Sequence, residues 1–301
     1  MLADSDMLPV YTLPLVLCAL VMCYLQVRQH LRDWRKLGKC QRVIKHSPRS
    51  GEYVGVAVNS EGLLAVTDYE KKCIHLVRKE GAFVRSIGKA VLGGDLRGIT
   101  FDQKGNVWVA DMGNNKVLKL SQDGRLLLTV HHASSKSDHF NQPTGLSISP
   151  EGLVYICDSG NHCVTVHDEE GMFLFAFGSK GSGPGCFTGP GDITFGSDGL
   201  VYVIDCVNRR VCVWSMEGSC QRDFTTKYAP NCIAATGDNR LLITSCTSNT
   251  AMVYTLKGQL VHGFGGHGSD PGRFNGPFGI CVDDSGAVYV ADFWNRRVQV
   301  F

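Results

Sequence analysis

Six short loops hold the side chains best suited to recognition chemistry, and each follows an apolar stretch. They are Asp68-Tyr-Glu-Lys-Lys72, Asp111-Met-Gly-Asn-Asn-Lys116, Asp158-Ser-Gly-Asn-His162, Asp205-Cys-Val-Asn-Arg-Arg210, Ser245-Cys-Thr-Ser-Asn-Thr250 and Asp292-Phe-Trp-Asn-Arg-Arg297. Asp and Asn three apart suit the work of satisfying turn amides through side-chain oxygens, so they read as structural. The residues between and just after them are the candidates for binding: Tyr69, Lys71, Lys72, Lys116, His162, Arg209, Arg210, Phe293, Trp294 and Arg296. Arg97 joins them, with Tyr53, Asn231 and Phe278, from the connections expected on the same face. Aromatics interleaved with Lys and Arg can stack on unpaired bases, each worth ~1–3 kcal/mol. The same side chains dominate the hot spots of protein interfaces.

Catalytic and metal-binding chemistry is poorly served by the spacing. The 13 cysteines and 10 histidines form no C-x-x-C and no H-x-x-x-H pair. His131, His132 and His139 fall in a long connection, and His262 and His267 flank a Gly-rich turn. Cys157, Cys163, Cys206, Cys212, Cys232 and Cys281 lie in or beside apolar runs, where a free cysteine packs as a small hydrophobe. No Gly-rich phosphate loop or G-x-S-x-G elbow occurs. The expectation is a binding protein that is not an enzyme, with no cofactor and no metal site.

These loops must be positioned by the elements between them. An apolar alternating strand, a polar turn and a second apolar strand recur from Gly55, Gly98, Gly145, Asp192, Cys232 and Gly279, at spacings of 43, 47, 47, 40 and 47 residues. Such a period with strand signals alone predicts a propeller of four-stranded blades, because one blade cannot cover both its faces. In the third blade the strands are expected at Leu146–Ile148, Leu153–Cys157, Cys163–His167 and Phe173–Phe177. The sixth unit ends at Phe301 after its third strand, and Gln41–His46 supplies the missing one, so an N-terminal strand closes the last blade. Blade five departs from the pattern, with Cys232 for the starting Gly and Ser245 for the closing Asp.

Two connections match closely, Phe177-Gly-Ser-Lys-Gly-Ser-Gly-Pro-Gly-Cys-Phe-Thr-Gly-Pro190 and Phe264-Gly-Gly-His-Gly-Ser-Asp-Pro-Gly-Arg-Phe-Asn-Gly-Pro277. With the stretch from Val288 to Val298, they resemble NHL repeats, and tripartite-motif proteins with a C-terminal NHL propeller are the nearest group. The resemblance implies an all-β, six-bladed NHL β-propeller resembling the substrate-recognition end of tripartite-motif ubiquitin ligases, with a protein as partner. Single-stranded RNA is the alternative ligand in that family. A metal-dependent hydrolase or lyase on the same architecture is the third reading. It is disfavoured because the inner-strand starts, Val54, Arg97, Thr144, Gly191, Asn231 and Phe278, offer one Asn and no carboxylate. Cys18, Cys23 and Cys40 do not make the paired clusters of a RING or B-box.

Residues 7–27 carry no charge and as a helix would span ~31 Å, enough for a hydrocarbon core. The expected organisation is a hydrophobic N-terminal helix as membrane anchor over 1–28, a basic linker over 29–40 and the propeller over 41–301. Eight Lys and Arg in residues 28–49 follow the apolar run, predicting a single-pass membrane protein with a cytosolic propeller; without the span the protein is cytoplasmic. From residue 50 onward, 22 basic and 25 acidic residues leave a formal −3, which favours a protein over RNA as ligand.

Overall fold

Among the described residues, strand pairing gives six sheets of four strands. A computed structural model describes residues 34, 37–45, 51–130 and 139–301, and residues 35–301 form one compact unit. β1 (Arg42–Ile44) precedes the first blade, which is β2 (Tyr53–Val58), β3 (Leu63–Asp68), β4 (Cys73–Arg78) and β5 (Phe83–Ile87). Blade two is β6 (Leu96–Phe101), β7 (Val107–Asp111), β8 (Lys116–Leu120) and β9 (Leu126–Thr129). Blade three is β10 (Pro143–Ile148), β11 (Val154–Asp158), β12 (Cys163–His167) and β13 (Phe173–Phe177). Blade four follows as β14 (Pro190–Phe195), β15 (Val201–Asp205), β16 (Arg210–Trp214) and β17 (Cys220–Thr225). Blade five is β18 (Ile233–Ala235), β19 (Arg240–Ser245), β20 (Thr250–Thr255) and β21 (Leu260–Gly265). Blade six is β22 (Pro277–Val282), β23 (Val288–Asp292) and β24 (Arg297–Val300). It lacks an outer strand of its own.

β1 fills that place, pairing antiparallel with β24 through Arg42↔Val300, Val43↔Gln299 and Ile44↔Val298. Ile44 is buried against Val298, Val300 and Tyr289, so the pairing is held by apolar packing as well as by its ladder. Ring closure by borrowing a strand removes two open sheet edges at once.

Why these residues make blades is visible in the burial. The second strands β7, β11, β15 and β23 are buried at every position, because both sheet faces are covered by neighbouring blades. The outer strands alternate or lie open, as in β5 and β17. Hairpins between first and second strands turn at Gly62, Gly105, Gly152, Gly199 and Gly286, all with φ between 73° and 89°.

The motif shared by the two long connections has a packing cause. Phe187 and Phe274 are buried, with rings 5.3 Å from Trp214 and 5.6 Å from Phe301, each at the end of a third strand. Gly178 and Gly265 sit under these rings with φ of 90° and 101°, where a Cβ would approach the ring to 2.5 and 2.4 Å. Only glycine fits there.

The hydrophobic N-terminal helix, residues 7–27, lies outside the described residues, as do His131 and His132. The expected single-pass membrane localisation is corrected: among the described residues no helix is long and apolar enough to cross a membrane.

Candidate functional site

Loops between second and third strands meet the connections that enter each blade at one end of the ring. Backbone bonds fix that meeting: Tyr69 N to Glu52 O at 2.8 Å, Met112 N to Asp95 O at 2.9 Å, Cys206 N to Gly189 O at 3.0 Å and Phe293 N to Gly276 O at 3.2 Å. A buried Asp in every loop but the fifth is placed to hold both sides. Asp111, Asp158, Asp205 and Asp292 each accept from the Asn three residues on, at 3.0, 2.8, 2.7 and 2.9 Å. In Asp158, Asp205 and Asp292 the other oxygen takes an amide of the entering connection, Asn141 N at 2.8 Å, Thr188 N at 3.1 Å and Asn275 N at 2.7 Å. Asp111 instead takes Gly93 N at 3.3 Å on the same Oδ2. In blade five Ser245 has no carboxylate to offer, and Asn231 Oδ1 accepts Cys246 N at 2.9 Å instead.

One residue after that Asn position the backbone turns left-handed in every blade: Lys72, Asn115, His162, Arg209, Asn249 and Arg296 have φ between 51° and 57°. Five of these side chains reach the next blade's entering connection. Lys72 Nζ donates to Asp95 at 2.9 Å, and Asn115 and Asn249 accept Gln142 N and Gly276 N at 2.7 Å. His162 Nδ1 lies 3.0 Å from Thr188 O, and Arg296 Nη2 4.0 Å from Glu52. The sequence reading of Lys72, His162 and Arg296 as freely binding residues therefore misses their part in joining blades. Arg209 and Lys116 are exposed at the rim.

Arg210 is corrected outright. It opens β16, is 8% exposed, and its guanidinium donates to Asp205 at 3.2 Å, Asp223 at 2.7 Å and Cys186 O at 2.8 Å. It locks the long connection as Arg297 does in blade six, where Nε donates to Asp292 at 2.7 Å.

The aromatic members converge. The Tyr69 and Phe293 rings are 6.0 Å apart, and Phe293 meets Trp294 edge-on at 4.7 Å. Lys72 Nζ stands 4.1 Å over the Tyr69 ring, and Lys71 lies beside it, exposed. Trp294 is 60% exposed yet fixed: its amide donates to Asn275 O at 3.0 Å, and its indole covers Gly276. Acidic groups flank the patch, with Arg296 3.7 Å from Glu70.

Arg97 stands apart, at the axial cavity of about 220 Å³ lined by the six first strands. Its guanidinium carbon lies 5.2 Å from the Phe278 ring. The cavity does carry a carboxylate, contrary to the sequence expectation, because a bulge in β14 places Asp192 on its lining beside Cys232. Burial pushes the Asp192 carboxyl up to about 7, against the Ile233 and Ile193 amides and the Cys232 thiol, which pull it down.

Six four-stranded sheets in a ring, closed by the N-terminal strand and presenting one face of stitched loops, define a six-bladed β-propeller. The NHL repeat model matches residues 140–166 and 274–301, so NHL repeats are present in blades three and six of the propeller. The chain is 50% identical over 38 residues to the E3 ubiquitin-protein ligase TRIM71 of Xenopus tropicalis, a match covering 13% of this chain and 5% of that protein. Among solved structures, a streptogramin B lyase superposes with a TM-score of 0.66 at 15% identity, over 86% of this chain and 96% of the other. A gluconolactonase from Xanthomonas campestris gives 0.69 at 13% identity, over 90% and 93%. A chain of a nidogen/laminin complex gives 0.57 at 16%, over 70% and 83%.

These likenesses show the fold. They also overturn the expectation that the chain is not an enzyme: a lyase and a lactonase share its architecture, so the propeller does not separate catalysts from binders.

Proposed function

We propose that residues 41–301 bind a protein partner through the loop face, centred where blades six and one meet. The observation that carries this reading is Trp294, largely exposed yet held by Phe293 and Gly276, with Tyr69 beside it. A fixed aromatic gives contact area without a large ordering cost, the character of an interface anchor. The match to a ubiquitin ligase and the likeness to a chain of the nidogen/laminin complex support a protein as the partner class. Lys72 and Arg296 already face Asp95, Glu52 and Glu70, which lowers the positive potential that single-stranded RNA needs. RNA is therefore the weaker reading.

The test is crosslinking of the tagged chain in cells, with recovery of protein and RNA scored separately. A specific protein is expected, lost when Tyr69→Ala and Trp294→Ala are combined. Recovery of RNA in place of protein, or an unchanged protein yield from the double variant, refutes the proposal.

A further inference from the structure

Blade one departs from the repeat at the buried Asp that every other blade but the fifth keeps in a fixed setting. In blades four and six, that carboxylate is satisfied by the loop Asn and by an Arg opening the third strand, Arg210 or Arg297. Asp68 has neither: Lys71 stands in the Asn place and Cys73 pairs opposite it in the Arg place. Two positions along β4, His75 occupies the place that Gln299 holds in blade six. The result is a buried trio of unlike donors. Asp68, Cys73 and His75 are 0%, 0% and 2% exposed, and their ligand atoms all lie within 4.8 Å of one another.

We propose that Asp68 Oδ2, Cys73 Sγ and His75 Nε2 bind a divalent transition-metal ion, with Zn²⁺ the ion that this donor set fits. His75 Nε2 is 2.9 Å from Asp68 Oδ2 and 3.9 Å from Cys73 Sγ. Tetrahedral zinc with bonds of 2.0–2.3 Å sets its ligands about 3.3–3.7 Å apart, so changes in separation of about 1 Å or less bring these atoms into place. Thiolate, imidazole and carboxylate together select a borderline-soft ion over Mg²⁺ or Ca²⁺. An outer partner is already present: Ser86 Oγ lies 2.8 Å from His75 Nδ1 and can hold the imidazole in the tautomer that turns Nε2 to the ion.

Charge agrees with chemistry. One carboxylate and one thiolate neutralise a dication inside the blade; the Lys71 amide donates to Asp68 Oδ1 at 2.8 Å, and the Lys71 ammonium stands 4.0 Å from Oδ2. Binding releases the Cys73 thiol proton. With Nε2 on the ion, the imidazole proton sits on Nδ1, where Ser86 Oγ accepts it. Three protein ligands leave a fourth position for water.

Cobalt(II) and zinc(II) titrations of the metal-stripped full chain test the site. One equivalent of Zn²⁺ is expected to raise Tm, and one of Co²⁺ to give tetrahedral d–d bands with a thiolate charge-transfer band. His75→Gln should fold, since Gln299 makes the corresponding hydrogen bond to Asp292 at 3.0 Å. It should lose at least tenfold in Co²⁺ affinity, and Cys73→Ser should lose the charge-transfer band. Cys220→Ser, an exposed thiol elsewhere, should change neither. Two results overturn the proposal: no stoichiometric metal in the wild-type chain, or metal uptake that His75→Gln leaves undiminished. If Cys73→Ser fails to fold, the wild-type charge-transfer band and His75→Gln still decide.

Discussion

Replacing Trp294 by alanine separates a binding anchor from an ornament of the fold. The side chain is 60% exposed. A tryptophan presents up to ~250 Å², so ~150 Å² remains to be covered by a partner. At ~25 cal/mol per Å² that burial gives about 4 kcal/mol as an upper bound. Contact with Phe293 and Gly276 already restricts the ring, so little ordering entropy offsets it. The expected loss is about 2–4 kcal/mol, roughly thirty- to several-hundredfold in Kd. Binding is measured by biolayer interferometry with the protein recovered by crosslinking, and thermal unfolding is followed in parallel. Trp294→Ala should shift Tm by no more than about 2 °C, because exposed substitutions usually change stability by under ~0.5 kcal/mol. A change in Kd below threefold, with the fold intact, refutes the assignment of Trp294 as the anchor.

Three further perturbations test the frame around that site. Ile44→Ala truncates the buried side chain of the closing strand and should cost about 2–5 kcal/mol, lowering Tm by roughly 5–15 °C in thermal unfolding. Asp192→Asn should gain stability over the wild type as pH rises. With the folded carboxyl at about 7 and the unfolded one near its ordinary value, the wild type loses stability between about pH 4 and pH 7, by at most ~4 kcal/mol. The two proteins should therefore converge near pH 4 in urea unfolding and separate above it; a constant difference across that window refutes the assignment. At Arg209, φ is 52°, so Arg209→Gly should be neutral or mildly stabilising, while Arg209→Val should cost ~1–2 kcal/mol in the same assay.

Blade number, strand order and closure were legible because each depends on period-2 patterning and on a repeat near 40–50 residues. The third blade shows the limits of that reading. Its outer two strands run Cys163–His167 and Phe173–Phe177 as expected, but its first begins at Pro143, ahead of Leu146. The bulge between Pro143 and Leu146 accounts for this, and the same irregularity recurs in β2, β6, β14 and β22. Counting one inner residue per blade therefore passed over Asp192, which the bulge also turns to the cavity. The left-handed residues were hidden for another reason: Lys72, Arg209 and Arg296 lack the Gly or Asn that usually marks positive φ. Arg210 was within reach of the sequence, since Asp205 and Arg210 have the spacing of Asp292 and Arg297.

Six copies of one blade in a single chain provide an internal control that few folds offer. A residue shared by most copies, such as the loop Asp with its Asn, is needed to join loop and connection wherever it occurs. A departure is informative only when its neighbours change in step. In blade five they do so conservatively, because Asn231 takes over the hydrogen bonding that Ser245 cannot provide. In blade one the loop Asn and the strand-opening Arg are both absent while a thiol and an imidazole gather on the same buried carboxylate. Closing a blade does not need that combination, since Gln299 and Arg297 close blade six without it. Singly, neither side chain is peculiar to blade one, since Cys163 stands opposite Asp158 as Cys73 does opposite Asp68, and Gln299 bonds Asp292 as His75 bonds Asp68. Among the described residues only blade one joins thiol and imidazole on one buried carboxylate, the combination that a bound cation uses.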